Sequence, residues 1–240
     1  MSTTPVGDPR ALLFDVQGTA TDFHSTICRE AERICGDRYP DVNWSEFVNR
    51  WRAMYFDITS DIGGTEDKWI PVDSVYRRSL DVLLEEDGLD GIDPDERAEL
   101  NAAWQLLDPW PDAATGLSRL HGRFVVAALS NADVCAVINM SRHGQLHWDA
   151  IFSAEMVKAF KPDPRTYAMA CRYLGCDPGE VMMVASHKYD IRAAGAFGMQ
   201  TAFVARPDEF GADASPDIEY SDEFDINASD FLDLATQLGC

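Results

Sequence analysis

No apolar run in this sequence approaches the roughly 20 residues that a bilayer-spanning helix requires. The opening residues, MSTTPVGDPR, lack the basic stretch and apolar core of a secretion signal, so a cytoplasmic location is expected. Cysteine is present six times, but no two residues form a CxxC pair. Their spacing fits neither zinc nor a disulfide scaffold, and reduced thiols are expected. Positive charge is scarce: 20 Lys and Arg against 41 Asp and Glu leave a formal net charge of -21. Nucleic acid, whose phosphates demand clustered cations, is therefore a poor partner. An anionic substrate would need a locally positive pocket inside this negative field. His24, His121, His143 and His147 have no metal-ligand spacing, and no repeat or low-complexity segment stands out.

What the chain does have is enough apolar residues, 46% of 240, for a substantial core. That length suits a core domain with one sizeable insertion. Apolar runs at residues 11–16 (ALLFDV), 124–129 (FVVAAL), 181–185 (VMMVA) and 201–205 (TAFVA) read as buried strands. Helical patterns lie at 113–121, 133–143, 164–174 and 191–197, and the alternation predicts an α/β fold with a Rossmann-like parallel sheet. Residues 208–240 should add a short strand and a closing helix. Between about 24 and 108 the alternation breaks into helical patterns at 27–34, 44–58, 75–84 and 95–107, which predicts an inserted helical cap. The core domain is then residues 1–23 and 109–240. Asp108-Pro109-Trp110-Pro111 reads as the return hinge, because two prolines end helices and stiffen the chain.

The polar residues follow the strands. In an open α/β sheet, ligands bind outside the carboxyl ends of the strands, so Asp15, Ser130-Asn131 and Ser186–Asp190 should share one crevice. Alone, an acid after a strand is usually a cap or a turn residue. Four segments in order change that weighting: FDVQGT, LSNAD, FKPDPRTY and VASHKYDIRAAGAFGMQTAFV, spread over about 190 residues. Together they resemble the haloacid dehalogenase superfamily, and more specifically its type II 2-haloacid dehalogenase branch. The resemblance implies that Asp15 attacks the carbon bearing the leaving group, forming an ester that water then hydrolyses. It places Lys161 beside Asp15 as the cation that keeps it ionised, although a Lys-Pro alone would read as a solvated turn. Arg52 in RWRAMYF matches the arginine that receives the departing halide; an arginine on an amphipathic helix is otherwise a surface residue. Tyr167 matches a tyrosine near the family site, with core packing as its rival.

Where superfamily phosphatases carry a second acid, this chain has Gln17, which cannot protonate a leaving alcohol. Where magnesium-dependent members place acids, it has Ser186, His187 and Lys188 before Asp190. Neither a metal nor a cofactor is implied. Type II dehalogenases commonly carry an aromatic residue at the Gln17 position, and some have Ser and Asn in place of Ala185 and His187. Water positioning is then assigned to His187, Lys188 or Asp190, with Asp190 favoured because it holds the family position. Ser130 and Asn131 can offer donors to a substrate carboxylate or cap the next helix. Thr19 is expected to steady the Asp15 loop or contact the same carboxylate, and Trp51 and Tyr55 to pack, with lining of the pocket by one of them as the alternative. The expected substrate is a small 2-substituted carboxylic acid, by default a 2-haloacid. The polar Gln17 keeps open ring opening of L-azetidine-2-carboxylate, known from a related branch. A non-catalytic binding protein on the same fold is the alternative of another class. A homodimer is implied by the resemblance alone.

Overall fold

The computed structural model describes residues 7–62, 69–212, 214 and 216–240; the residues read for a secretion signal lie largely outside them. Strand β1 (Ala11–Phe14) is apolar on every residue because both its faces are covered. Ala11 and Leu13 pack on one side of the sheet, Leu12 and Phe14 on the other. The chain then forms β2 (Thr21–Asp22), helices α1 (Phe23–Cys35), α2 (Trp44–Ile62), α3 (Val72–Glu86) and α4 (Pro94–Ala103), and β3 (Asp108–Pro109). It continues through α5 (Ala113–Leu120), β4 (Val125–Ser130), α6 (Val134–Gly144), β5 (Ala150–Ser153) and α7 (Pro164–Leu174). The last elements are β6 (Val181–Ala185), α8 (Lys188–Phe197), β7 (Gln200–Val204), β8 (Ile226–Ala228) and α9 (Phe231–Gln237).

The main sheet is six-stranded, in the order β5-β4-β1-β6-β7-β8, and every pairing is parallel. This is the Rossmann-like α/β arrangement that the alternation predicts. After β1 the order grows outward through β4 and β5, then switches sides to β6, β7 and β8. The switch point therefore lies at the carboxyl ends of β1, β4 and β6, where a crevice is expected. Helices α7 and α8 cover one face of the sheet, and α5 and α9 the other.

Three details differ from the sequence reading. Asp108-Pro109 is not only a hinge: it pairs antiparallel with Thr21-Asp22, so the exit and return of the helical segment are tied together. Helix α8 begins at Lys188 rather than near 191, because His187 adopts an extended conformation and its carbonyl accepts the Asp190 N–H at 3.0 Å. Asp190 thus stands in a helix's first turn, where a carboxylate is favoured by the exposed backbone N–H groups. Edge strand β5 was not anticipated; its neighbour β4 covers only one of its sides.

Helices α1–α4 pack around Trp51, Tyr76 and Trp104, in an apolar cluster that continues into β4 and α6 through Ala128, Val137 and Met140. The Tyr76 and Trp104 rings stack with centroids 3.9 Å apart. Helix α3 has no capping side chain of its own at Pro71. Asp133, in the turn after β4, supplies one: its Oδ1 accepts from Val72 N at 3.0 Å and its Oδ2 from Asp73 N at 2.9 Å. The helical layer is thereby pinned to the sheet beside the crevice. Among the described residues, no helix is long and apolar enough to cross a membrane.

Candidate active site

Asp15 is the residue after β1, and its N–H is tied to the Val184 carbonyl of β6 at 3.0 Å. Its side chain is buried, and each carboxylate oxygen has its own partners. Lys161 Nζ donates to Oδ1 at 2.8 Å. Thr19 Oγ1 donates to Oδ2 at 2.8 Å, and His187 Nδ1 lies 3.2 Å from the same oxygen. Burial alone would raise the Asp15 carboxyl, but the Lys161 ammonium and then His187 outweigh it. The result is a carboxyl held well below the usual carboxylate range, so Asp15 is ionised.

Lys161 spends all three of its donors: on Asp15 Oδ1, on Asp190 Oδ2 at 2.6 Å and on the Leu129 carbonyl at 2.9 Å. Burial opposes its charge, yet the two carboxylates keep its pKa raised. Asn131 fixes it through the backbone, accepting the Lys161 N–H at 2.7 Å. The space between Asp15 and Asp190, where two acids could share a divalent ion, is thus bridged by an ammonium. Among the described residues, no cluster of three or more His, Cys, Asp and Glu is arranged to hold a metal.

Asp190 is fully buried, and burial pushes its pKa up, with Lys161 pulling back and the Asp15 charge adding to the rise. Tyr167 donates its hydroxyl to Asp190 Oδ1 at 2.6 Å. Tyr167 was expected among the substrate-binding residues. It lies behind Asp190, buried among α7, α8 and the sheet, with its hydroxyl on that carboxylate. Lys188, one of the three residues considered for positioning water, pairs its ammonium with Asp217 and lies over the Phe203 ring.

The helical layer contributes Arg52, which is buried rather than at the surface. Its guanidinium carbon lies 4.6 Å from the Phe56 ring centroid and 4.8 Å from that of Tyr55. Arg52 Nη1 donates to Tyr76 Oη and, at 3.1 Å, to Gln17 Oε1; Tyr76 Oη donates to the same Gln17 oxygen at 3.2 Å. Arg52 Nε has no hydrogen-bond partner among the described residues. An arginine can only donate, so the Gln17 atom facing it must be the carbonyl oxygen. Gln17 is then left with its NH2 group to offer a ligand.

Asp15, Gln17, Arg52, Tyr55, Ser130, Asn131, Lys161 and His187 line one small chamber of about 10 Å³, room for about one water. It adjoins a cleft of about 370 Å³ that shares Phe56, Asn131, Lys161 and Tyr189 with it. Ser130 serves a turn as well, since its Oγ accepts the Ala132 N–H at 3.1 Å. Trp51 packs away from the chamber, donating to the Tyr76 carbonyl at 2.8 Å.

One residue escaped the sequence reading. Glu209, in the turn after β7, is buried, and its Oε1 lies 2.7 Å from His187 Nε2. Its signal was available: it follows a core strand at the same end of the sheet as the other acids. With a carboxylate at each nitrogen, the His187 ring is a double donor. Burial would lower its pKa, but Glu209 and Asp15 raise it to about 10. Gly18 makes room for this pair. Its φ of +89° suits glycine, and a Cβ there would run into the Glu209 carboxylate.

Comparison with known proteins shows what the chain is similar to. The family profile of haloacid dehalogenase-like hydrolases matches residues 9–198. The (S)-2-haloacid dehalogenase 4A of Burkholderia cepacia is 32% identical over 204 residues, covering 82% of this chain and 83% of that protein. Among solved structures, the L-2-haloacid dehalogenase PA0810 superposes with a TM-score of 0.89 at 37% identity, covering 96% of this chain and 99% of the other. The L-2-haloacid dehalogenase of Xanthobacter autotrophicus, with chloropropionic acid covalently bound, gives a TM-score of 0.79 at 25% identity, covering 96% and 98%.

Proposed function

Because the chain belongs to the haloacid dehalogenase-like hydrolases, we propose that it hydrolyses small 2-haloacids, releasing halide through an ester on Asp15. The observation that carries this reading is the ionised, buried Asp15 with Gln17, not a second acid, two residues on. A leaving group at this site must depart without a carboxylic acid to protonate it, and halide does. The covalently bound chloropropionic acid in the Xanthobacter autotrophicus enzyme supports the same reading.

The roles follow from the hydrogen bonds. Both acceptor positions of Asp15 Oδ2 are taken by Thr19 and His187, whereas Oδ1 has only Lys161. Oδ1 therefore keeps a free lone pair and is the nucleophile. It forms a bond to the substrate's second carbon as the carbon–halogen bond breaks, and the halogen leaves with that electron pair. Arg52 and the Gln17 NH2 receive the halide; Ser130 and Asn131 bind the substrate carboxylate. Water then adds to Asp15 Cγ, and the bond from Cγ to Oδ1 breaks to release a 2-hydroxy acid. Of the two water protons, one goes to the alkoxide. The other passes along Lys161 to Asp190, whose raised proton affinity suits a base, and then to solvent. In this reading residues 24–108 form a cap that opens to admit the haloacid, for which the closed chamber is too small, and closes again to exclude bulk water, while residues 1–23 and 109–240 form the core.

Ring opening of L-azetidine-2-carboxylate loses the support Gln17 lent it. That ring nitrogen is protonated at neutral pH and donates hydrogen bonds, whereas Gln17 and Arg52 have only donors left to offer. Halide release from 2-chloropropionate, unaffected by EDTA, is the expected result. Ring opening without dehalogenation would overturn the proposal, and inactivity on both would refute catalysis on this substrate class. Asp15→Asn should form no ester adduct by intact mass. With enzyme in excess in heavy-oxygen water, the first turnover should give an unlabelled hydroxyl, since that oxygen comes from Asp15. A labelled product would instead indicate direct attack by water.

A further inference from the structure

We infer that His187 and Thr19 form an oxyanion cradle on Asp15 Oδ2, and that Glu209 positions His187 for the hydrolytic half of the reaction. This rests on the covalent reading above but concerns a different step. Once Oδ1 is alkylated, Oδ2 is the ester carbonyl oxygen. When water adds to Cγ, the carbonyl electron pair moves onto Oδ2, and the charge returns to the carbonyl as the bond from Cγ to Oδ1 breaks. Both donors already point at that oxygen, at 2.8 and 3.2 Å, so neither must be recruited during the reaction.

The first step also sets up the second. Alkylation removes the negative charge from Asp15 and leaves the His187 imidazolium facing a neutral carbonyl. That cation is then compensated by Glu209 alone and is best placed to meet a new negative charge on Oδ2. His187 faces Asp15 from the end of β1 and Glu209 from the turn after β7. From its own helix it faces Tyr189, whose ring lies 5.7 Å away, and from α2 it faces the uncharged Phe56 ring. Arg52 shares the chamber wall, and Lys161 holds the other Asp15 oxygen. Among the described residues, the carboxylate that contacts the ring apart from the nucleophile is therefore Glu209, and residue 18 leaves room for it by being glycine.

Thr19 is itself held for the task. Its Oγ1 accepts the Ser186 N–H at 2.9 Å, and its carbonyl accepts from Arg206 Nε at 2.8 Å, while Arg206 is clamped on Asp112. The cradle thus joins residues from the turns after β1, β6 and β7, and its geometry belongs to the sheet rather than to the cap.

The test separates the two half-reactions. In His187→Ala, rapid mixing with 2-chloropropionate should give a halide burst approaching one per site. Steady turnover should then be slower by about a hundredfold, the lower end of what losing one oxyanion donor costs. Intact mass should show the Asp15 ester accumulating. Glu209→Gln should slow steady turnover about tenfold at neutral pH, as expected for a donor weakened by about 1.4 kcal/mol. Its pH profile should also change. In the free enzyme Glu209 and Asp15 together raise the imidazole pKa to about 10, and in the ester Glu209 alone holds it up. Without Glu209 its pKa falls, so hydrolysis should decline at lower pH while the halide burst does not. His187→Asn retains a short donor and should recover part of the hydrolytic rate, and adding Glu209→Gln to it should change nothing further. If the native enzyme forms no ester, the covalent reading itself fails. If the ester forms and both single variants hydrolyse it at the native rate with the native pH profile, only the cradle is overturned.

Discussion

Gln17 shows how one side chain can present opposite chemistries depending on which end is occupied. Arg52 and Tyr76 both donate to its carbonyl oxygen, so the amide offers a ligand donors only. A neutral amide in that orientation complements a departing anion. Gln17→Glu would keep the contact to Arg52 but place a carboxylate beside the halide's exit. The expected outcome is a fall in kcat/KM for 2-chloropropionate of at least about tenfold, or about 1.4 kcal/mol. An unchanged kcat/KM would remove Gln17 from the halide path. The residue types at 15, 17, 19, 161 and 190 were legible because their spacing in the sequence carries the resemblance. The direction of the Gln17 amide was not, since it depends on Tyr76 and Arg52, which arrive from two different helices. Tyr167 shows the same limit: its position matched, but only packing shows that it supports Asp190 from behind.

At the scale of elements, the turns after strands do most of the positioning. Four core strands, and the short strand and final helix near the carboxyl end, could be read from apolar runs and their alternation with helices. The β2–β3 ribbon could not, because two residues on each side carry no periodic pattern. Nor could the contact between the turn after β4 and the start of α3, which joins residues about sixty positions apart. That contact predicts a mutational effect. Asp133→Ala leaves the Val72 and Asp73 N–H groups without their acceptors and should cost about 1 kcal/mol, the usual value of a lost helix cap. Thermal denaturation should show a lower Tm, and KM should rise as the helical layer docks less firmly. An unchanged Tm would mean that water replaces the carboxylate without loss.

Across the whole molecule, the charge of -21 and the proposed anionic substrate are in tension. The chamber answers it locally with Arg52 and Lys161, although Lys161 is already shared between two carboxylates. The approach to the chamber remains in a negative field, which is screened over about 10 Å at 0.1 M salt. Raising ionic strength from low values should therefore increase kcat/KM for 2-chloropropionate while leaving kcat nearly unchanged. A decrease would show that a positive path steers the substrate inward.

The sequence by itself determined four of the core strands and the helical character of residues 24–108, and four segments in order marked Asp15 through the family they resemble. Apolar runs and helical periodicity are patterns local to a few residues, whereas an acid just after a strand takes its meaning only from the three other segments spread along the chain. Only the tertiary structure decided what Asp15 touches and hence which of its oxygens is free. Lys161 arrives from 146 positions away, His187 from 172, and Glu209 lies 22 beyond His187. Contacts at such separations depend on strand order and on which side of a strand each turn leaves, and no local pattern in the chain encodes either.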